Sequence, residues 1–353
     1  MESNRIIVIG GYGHVGQKIC HHLSNIYPGS VYAAGRNKNK ANKFSESTNG
    51  KVKPIYIDVT EEIKDSFFEE VRLIIVCIDQ DNTTFASQCL AKGIDYIDIS
   101  ASYSYLSKVE GLEETAKIHG ARALLSVGLD PGLTNLLVSW VNEQLDTVER
   151  MDIFLMLGMG DKHGKAAISW TIENAKTNFT RMTRGKQVLE KSFEDGEKVN
   201  FGNEIGWRNV YRFNFADQHV LQRTLDIPEV STRLCLDSVL ATETIHMLKK
   251  SGLLRILPLK ASVGLLGKMT YGKPIFIAKV EGRGQKQGEN VQIDTMIQGE
   301  EEATVTALVT GLVAESLCRK NYPSGIYHIE ELFGWTSMYE QLNHLVKWKK
   351  GDK

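Results

Sequence analysis

The residues best suited to chemistry stand near the start of the chain, in the run Gly10-Gly11-Tyr12-Gly13-His14-Val15-Gly16. Gly11, Gly13 and Gly16 have the G-x-G-x-x-G spacing, directly after apolar Ile6–Ile9 and before a helical stretch from Val15 to Leu23. In that setting the first glycine permits a tight turn. The second lets backbone approach a pyrophosphate, and the third lets helix and strand pack closely. The pyrophosphate would rest on the helix N-terminus around His14 and Val15, where N–H groups and the helix dipole favour an anion. The chemistry expected of this run is dinucleotide binding.

A second strand, Val31–Ala34, ends in Gly35-Arg36-Asn37-Lys38, about twenty residues past the glycines, where an NAD-selective site places Asp or Glu. Here Arg36 and Asn37 stand there instead, with Lys40 close behind. A guanidinium stacks on adenine and pairs with a 2′-phosphate, so the spacing predicts NADP over NAD. Asp58 ends the third strand and is expected to touch the adenine or to cap the next helix.

Ligands of open α/β sheets collect outside the carboxyl ends of the strands. That rule adds Cys77 after the fourth strand, Asp98 and Ser100 at the fifth, and Asp130 after the sixth. Cys77 would line the cofactor site as packing, since no base is tied to it by motif. Asp98 and Ser100 alternate on one strand face, where they would reach the nicotinamide end or cap a turn. Asp130, followed by Pro131, has the pattern of a helix N-cap. No lysine follows a tyrosine by four residues, which removes the Tyr–Lys relay of short-chain dehydrogenases.

These residues need elements to hold them. Val52–Ile57, Leu73–Ile78, Tyr96–Ile99 and Ala123–Val127 continue the strand series, with helical spacing in Asn39–Ser47, Glu61–Glu70, Thr84–Lys92 and Leu112–His119. Alternating strands and helices predict a parallel sheet covered on both faces. Beyond residue 150 the pattern changes. Strands are expected at Met151–Leu157 and Val210–Asn214, and helices at Ala166–Met182 and Arg233–Ser251. Lys273–Val280 and Asn290–Gln298 predict a hairpin around Gly282–Gly288, and Ala303–Lys320 a helix rich in small residues. Arg208 and Arg212, near the Val210 strand, are candidate carboxylate partners. Arg181, Arg184 and Arg233 share that chemistry. Tyr103 is a candidate pocket residue, and His163 a loop histidine able to move protons.

The whole chain has 353 residues, 42 Lys+Arg against 43 Asp+Glu, and a formal net charge of −1. The length suggests two domains. The balanced charge argues against a nucleic-acid partner. No apolar run is long enough to span a membrane, and no secretory leader is expected before Ile6. Five scattered cysteines without a CxxC pair predict reduced thiols and a cytoplasmic setting. No histidine or cysteine spacing suggests a metal.

With these residues in view, the chain resembles the saccharopine dehydrogenase (saccharopine reductase) and carboxynorspermidine dehydrogenase family. The resemblance rests on Val8–Gly16, Ala34–Asn37, Asp95–Ser100 and above all Gly128-Leu129-Asp130-Pro131-Gly132-Leu133-Thr134-Asn135. It is clear over roughly residues 5–140. It implies an α/β protein with an N-terminal Rossmann-type parallel sheet and an inserted α+β substrate and dimerisation domain. On that plan residues 1–130 bind NADP, 131–300 form the second domain, and 301–353 return to the first. The chemistry implied is hydride transfer from NADPH to an imine made from an amine or amino acid and an aldehyde or keto acid. Asp130 or Asp98 would balance the iminium charge. An amino-acid-like small molecule is the expected partner and a homodimer the expected assembly. The glycine run alone would equally suit a non-catalytic NADP-binding regulator, and an NADP-dependent carbon–carbon double-bond reductase is a third reading. The substrate pocket is not legible, because Gly158–Lys165 and Trp170 match no saccharopine-specific pattern.

Overall fold

The computed structural model describes residues 4–161, 165–258 and 272–351. The chain forms two units, Met1–Pro131 with Ala303–Leu332, and Gly132–Glu302 with Phe333–Lys353. His163 lies outside the described residues.

The first unit is built on β1 (Arg5–Ile9), β2 (Val31–Gly35), β3 (Val52–Tyr56), β4 (Val71–Val76), β5 (Asp95–Asp98) and β6 (Arg122–Leu125). A late strand, β15 (Gly325–His328), pairs with β6, and the sheet order is β15-β6-β5-β4-β1-β2-β3. All neighbours are parallel. Strands buried on both faces need no polar alternation, and Ile6, Ile7, Val8 and Ile9 are each at most 1% exposed. At the edge, β3 carries Pro54, which a central strand would not tolerate.

The order reverses between β1 and β4, and the glycine turn leaves β1 at that point. Two expected features differ. Glu61–Glu70 holds only the short turn Asp65–Phe67, because a single residue of the stretch, Phe68, is buried and no apolar face forms. A helix at Tyr103–Glu110 replaces what the sequence left unassigned.

The helix Glu302–Arg319 explains its own composition. Its small residues face the helix His14–Ile26, where Lys18 Nζ donates to Thr304 Oγ1 at 2.8 Å and His22 Nε2 meets Glu315 Oε1 at 3.0 Å. A Cβ at Gly311 would lie 2.3 Å from a His22 ring carbon. The glycine is the clearance this contact requires.

The second unit has a mixed sheet of β7 (Thr147–Leu157), β10 (Glu197–Asn200), β11 (Trp207–Arg212), β12 (Val230–Leu236), β13 (Ile275–Lys286), β14 (Glu289–Glu300) and β16 (Val346–Lys350). The order is β10-β11-β12-β7-β13-β14-β16, with β7 and β12 parallel. The strands β8 (Asn178–Thr183) and β9 (Lys186–Lys191) pair separately. Three expectations are corrected here. The helix expected over 166–182 ends at Lys176, and β8 follows with Phe179 and Arg181 buried in alternation. Arg233 sits in β12, and the next helix is Val239–Lys250, capped by Ser238 Oγ accepting from Ala241 N at 3.2 Å. The hairpin turns only at Gln287-Gly288, both at positive φ. Gly282 and Gly284 belong to β13, where a Cβ would strike Val141 at 2.5 Å or the Thr147 carbonyl.

The end of the chain also departs from expectation. Phe333–Lys353 group with the second unit, because β16 adds to the free edge of β14 and Trp348 packs edge-on against Trp140 and Trp335.

Replacing a helix glycine by alanine ordinarily stabilises a helix by roughly 1 kcal/mol. Gly311→Ala is expected to do the opposite and destabilise by about 1–3 kcal/mol, as an overpacked contact does. Urea unfolding of the two proteins decides the sign.

Candidate functional site

The glycine turn is shaped by what cannot fit into it. A Cβ on Gly11 would lie 2.7 Å from both Ala33 Cα and the Val8 carbonyl oxygen, and one on Gly16 would lie 2.3 Å from the Gly10 carbonyl oxygen. These glycines let the helix His14–Ile26 begin against the sheet. Gly13, its N-cap, is exposed and has no side chain to cap the helix, and no acidic residue stands in the first turn. His14 is exposed and Val15 half-buried beside it. The positive end of a thirteen-residue helix is thus presented at the carboxyl end of β1, a ready site for a pyrophosphate.

At the carboxyl end of β2, Arg36 and Asn37 are exposed. Asn37 caps the helix Lys38–Ser47, its Oδ1 accepting from Lys40 N at 2.9 Å. Tyr12, from the glycine run, accepts the Asn37 N–H at its hydroxyl oxygen at 2.8 Å. Asp58 turns on itself, Oδ1 accepting from Thr60 N at 3.0 Å and Thr60 Oγ1 at 2.7 Å. Those bonds, helped by the nearby Arg36 charge, hold its carboxyl below the usual range. These bonds close a local turn at Thr60 and cap no helix, since the next helical turn, Asp65–Phe67, begins after Lys64. Cys77 is half-buried with its N–H on the Ile9 carbonyl at 2.9 Å, and burial pushes its thiol well up. It is a packing thiol.

Asp98 does not stand open at the sheet end. It is fully buried, with Oδ2 accepting the Tyr96 O–H at 2.7 Å and Oδ1 the Ser100 N–H at 2.8 Å. Ser100 Oγ in turn accepts from Ser102 N at 3.2 Å. Tyr105 meets Tyr96 at 3.0 Å, and Gln80 Nε2 donates to the Tyr96 oxygen at 2.9 Å. Burial raises the Asp98 carboxyl to about 6, against the lowering effect of those hydrogen bonds. Tyr103 is half-buried at the first residue of its helix.

A buried line that sequence reasoning missed lies beside the sixth strand. Ser126, at φ +55°, leads from β6 into the segment that reaches Asp130. Its Oγ lies 2.7 Å from His328 Nδ1, and His328 Nε2 lies 2.9 Å from Glu110 Oε1. An ionised Glu110 can only accept, so Nε2 carries the hydrogen and, in the neutral ring, Nδ1 accepts the serine hydroxyl. These three residues are remote in sequence and share no motif, so only the β15–β6 pairing reveals them. Asp130 is half-buried in the wide turn Leu129–Leu133, joined to Pro131 by a cis peptide. The helix starts at Thr134, so Asp130 is not its N-cap.

In the second unit the arginines are mostly engaged by the protein. Arg212 is buried and its Nε donates to Asp195 Oδ2 at 2.8 Å. Arg181 pairs with Glu190 at 2.8 Å, and Arg233 with Asp152 at 3.5 Å and Glu197 at 3.4 Å. The expectation of Arg212 as a substrate partner gives way to an internal ion pair, because β11 carries it into the unit. Arg208 differs. Among the described residues it forms no ion pair: its Nη1 donates to the Trp207 carbonyl at 2.9 Å and its Nε is buried without a hydrogen bond, as is Nη1 of the ion-paired Arg212.

A seven-stranded parallel sheet with a glycine turn at its switch point and basic residues just past β2 has the form of a dinucleotide-binding domain. Residues 6–124 match the family model described as the saccharopine dehydrogenase NADP binding domain, which makes NADP the cofactor of this stretch. The chain is similar in fold to apo saccharopine dehydrogenase (L-Glu forming) from Saccharomyces cerevisiae, with a TM-score of 0.73 at 13% identity, covering 99% of this chain and 100% of that one. A weaker likeness is to the C. glutamicum DAP dehydrogenase in complex with DAP, with a TM-score of 0.47 at 14% identity over 98% and 99% of the two chains. No curated protein matches in sequence. Among the described residues no cluster of His, Cys, Asp or Glu could hold a metal, and no helix is long and apolar enough to cross a membrane.

A carboxyl held above its unfolded value binds its proton more tightly in the folded state. Stability from Asp98 therefore rises as pH falls from 7 through about 6. Between pH 7 and pH 5 the stability of wild type relative to Asp98→Asn should increase by about 1 kcal/mol, because one pKa unit is worth about 1.4 kcal/mol and the carboxyl takes up its proton only over the lower half of that range. Denaturant unfolding at both pH values checks this; a constant difference refutes the buried ionisable state.

Proposed function

We propose that the protein reduces a C=N bond, transferring a hydride from NADPH to an imine formed between an amino acid or other amine and an aldehyde or keto acid. One observation carries the reading. The saccharopine-type NADP-binding domain is followed directly by the turn Gly128-Leu129-Asp130-Pro131-Gly132, from which the chain enters a second α/β unit. The yeast enzyme of like fold is named as forming L-glutamate, which supports an amino-acid partner. The second unit would be the substrate and dimerisation region, in a cytoplasmic homodimer.

The bound cofactor would supply the hydride. The chain's own residues would bind, orient and balance charge. The turn Gly11–Gly16 would hold the pyrophosphate and Arg36 the 2′-phosphate. An iminium carries positive charge that is lost as the amine forms, and the Asp130 carboxylate would stabilise it. Asp98, buried and bonded, would serve by shaping the β5 turn through Ser100 instead of meeting substrate. Arg208, which unlike Arg212 is not committed to Asp195, is the arginine best suited to a substrate carboxylate.

Turnover of NADPH against a panel of amino acids paired with aldehydes and 2-keto acids tests the reading. Oxidation that requires both partners supports it. Tight NADPH binding with silence across the panel returns the protein to a regulatory role. In the active pair, Asp130→Asn should lower kcat at least tenfold with NADPH affinity within about twofold. An unchanged kcat removes Asp130 from the chemistry.

A further inference from the structure

The glycine run carries one side chain that dinucleotide binding does not require. Tyr12 stands between Gly11 and Gly13, half-buried, with its backbone carbonyl held by Gln17 Nε2 at 2.8 Å. Its ring reaches across to β2. A Cβ at Gly35 would lie 2.5 Å from the Tyr12 hydroxyl oxygen and 2.8 Å from Cζ. Gly35 is the last residue of β2, the place where an NAD-selective site holds its acidic residue for the ribose. With Tyr12 in this position, a side chain there would collide with its ring.

The hydroxyl has a defined polarity. Asn37 N–H donates to its oxygen at 2.8 Å, so the oxygen is the acceptor in that bond and the phenol hydrogen is directed elsewhere. Arg36 lies between these residues in sequence, exposed, and close enough to Asp58 for its charge to lower that carboxyl. The start of the helix Lys38–Ser47 adds its positive end to the same spot. One hydroxyl, one exposed arginine and one helix start therefore lie at the end of β2, with Asp58, just past the next strand, turned onto Thr60 and an acidic side chain at position 35 opposed by the Tyr12 ring.

We propose that Tyr12 is a specificity-determining residue, donating its phenol hydrogen to the adenosine 2′-phosphate beside Arg36 while its ring excludes an acidic residue at position 35. The inference rests on the NADP assignment and extends it from a charge to a shape. Selectivity then arises from both sides: a donor that a phosphate satisfies, and a steric block against the group that would hold a 2′-hydroxyl.

Calorimetric titration of the full chain with adenosine 2′,5′-bisphosphate and with 5′-AMP tests this without turnover. Wild type should prefer the bisphosphate. Tyr12→Phe keeps the ring against Gly35 and should weaken bisphosphate binding about tenfold, the scale of one hydrogen bond to a charged group. Binding of 5′-AMP should stay within about twofold, which also reports an intact turn. Equal loss for both nucleotides makes Tyr12 a packing residue and overturns the proposal, as does no loss for either. If wild type binds the two equally, the 2′-phosphate site itself is wrong and the proposal falls with it.

Discussion

The arrangement depends on one steric constraint, the absence of side-chain atoms where the first helix meets the first strand. Gly16 approaches the Gly10 carbonyl, and Gly11 the backbone of Ala33, at distances no Cβ permits. Because that contact closes, the helix His14–Ile26 can start at the sheet with its N-terminus directed outward. The anion site is a consequence of packing. The same close approach brings Tyr12 over Gly35, so the glycine turn also shapes the end of β2.

A second contact of this kind ties the distant part of the chain to the first unit. Gly311 against His22, with the His22–Glu315 and Lys18–Thr304 pairs, seats the helix Glu302–Arg319 on the helix His14–Ile26. That helix delivers β15 to the edge of β6, and β15 brings His328 to Ser126. The conformation of the residue leaving β6 is thus supported by a side chain two hundred positions away. Packing fixes the sheet, the sheet fixes Ser126, and Ser126 begins the segment that reaches Asp130.

The parallel sheet was legible because its strands are continuously apolar and alternate with helices, signals that depend only on local period. The glycine spacing was legible for the same reason, since its close contacts lie within one βαβ unit. What local reading missed depends on partners remote in sequence. Asp98 looks like an open carboxylate on β5, yet Tyr96, Tyr105 and Gln80 enclose it. Arg212 reads as a carboxylate clamp, yet the carboxylate it finds is Asp195 of the same unit. Asp-Pro suggested a helix cap, whereas the chain takes a wide turn before the helix begins. The signal that could have warned of Arg212 is the abundance of acidic residues at 190–197, which foreshadows internal pairing.

The central claim is that hydride passes from NADPH to the carbon of a C=N bond. Incubation with NADPH bearing deuterium at the transferred position of C4, an amino acid and a keto acid, followed by mass spectrometry of the product, tests it most directly. The account predicts a secondary amine carrying one deuterium on the carbon that had been the carbonyl carbon. Deuterium delivered to an alcohol carbon, or to a former carbon–carbon double bond, would contradict it.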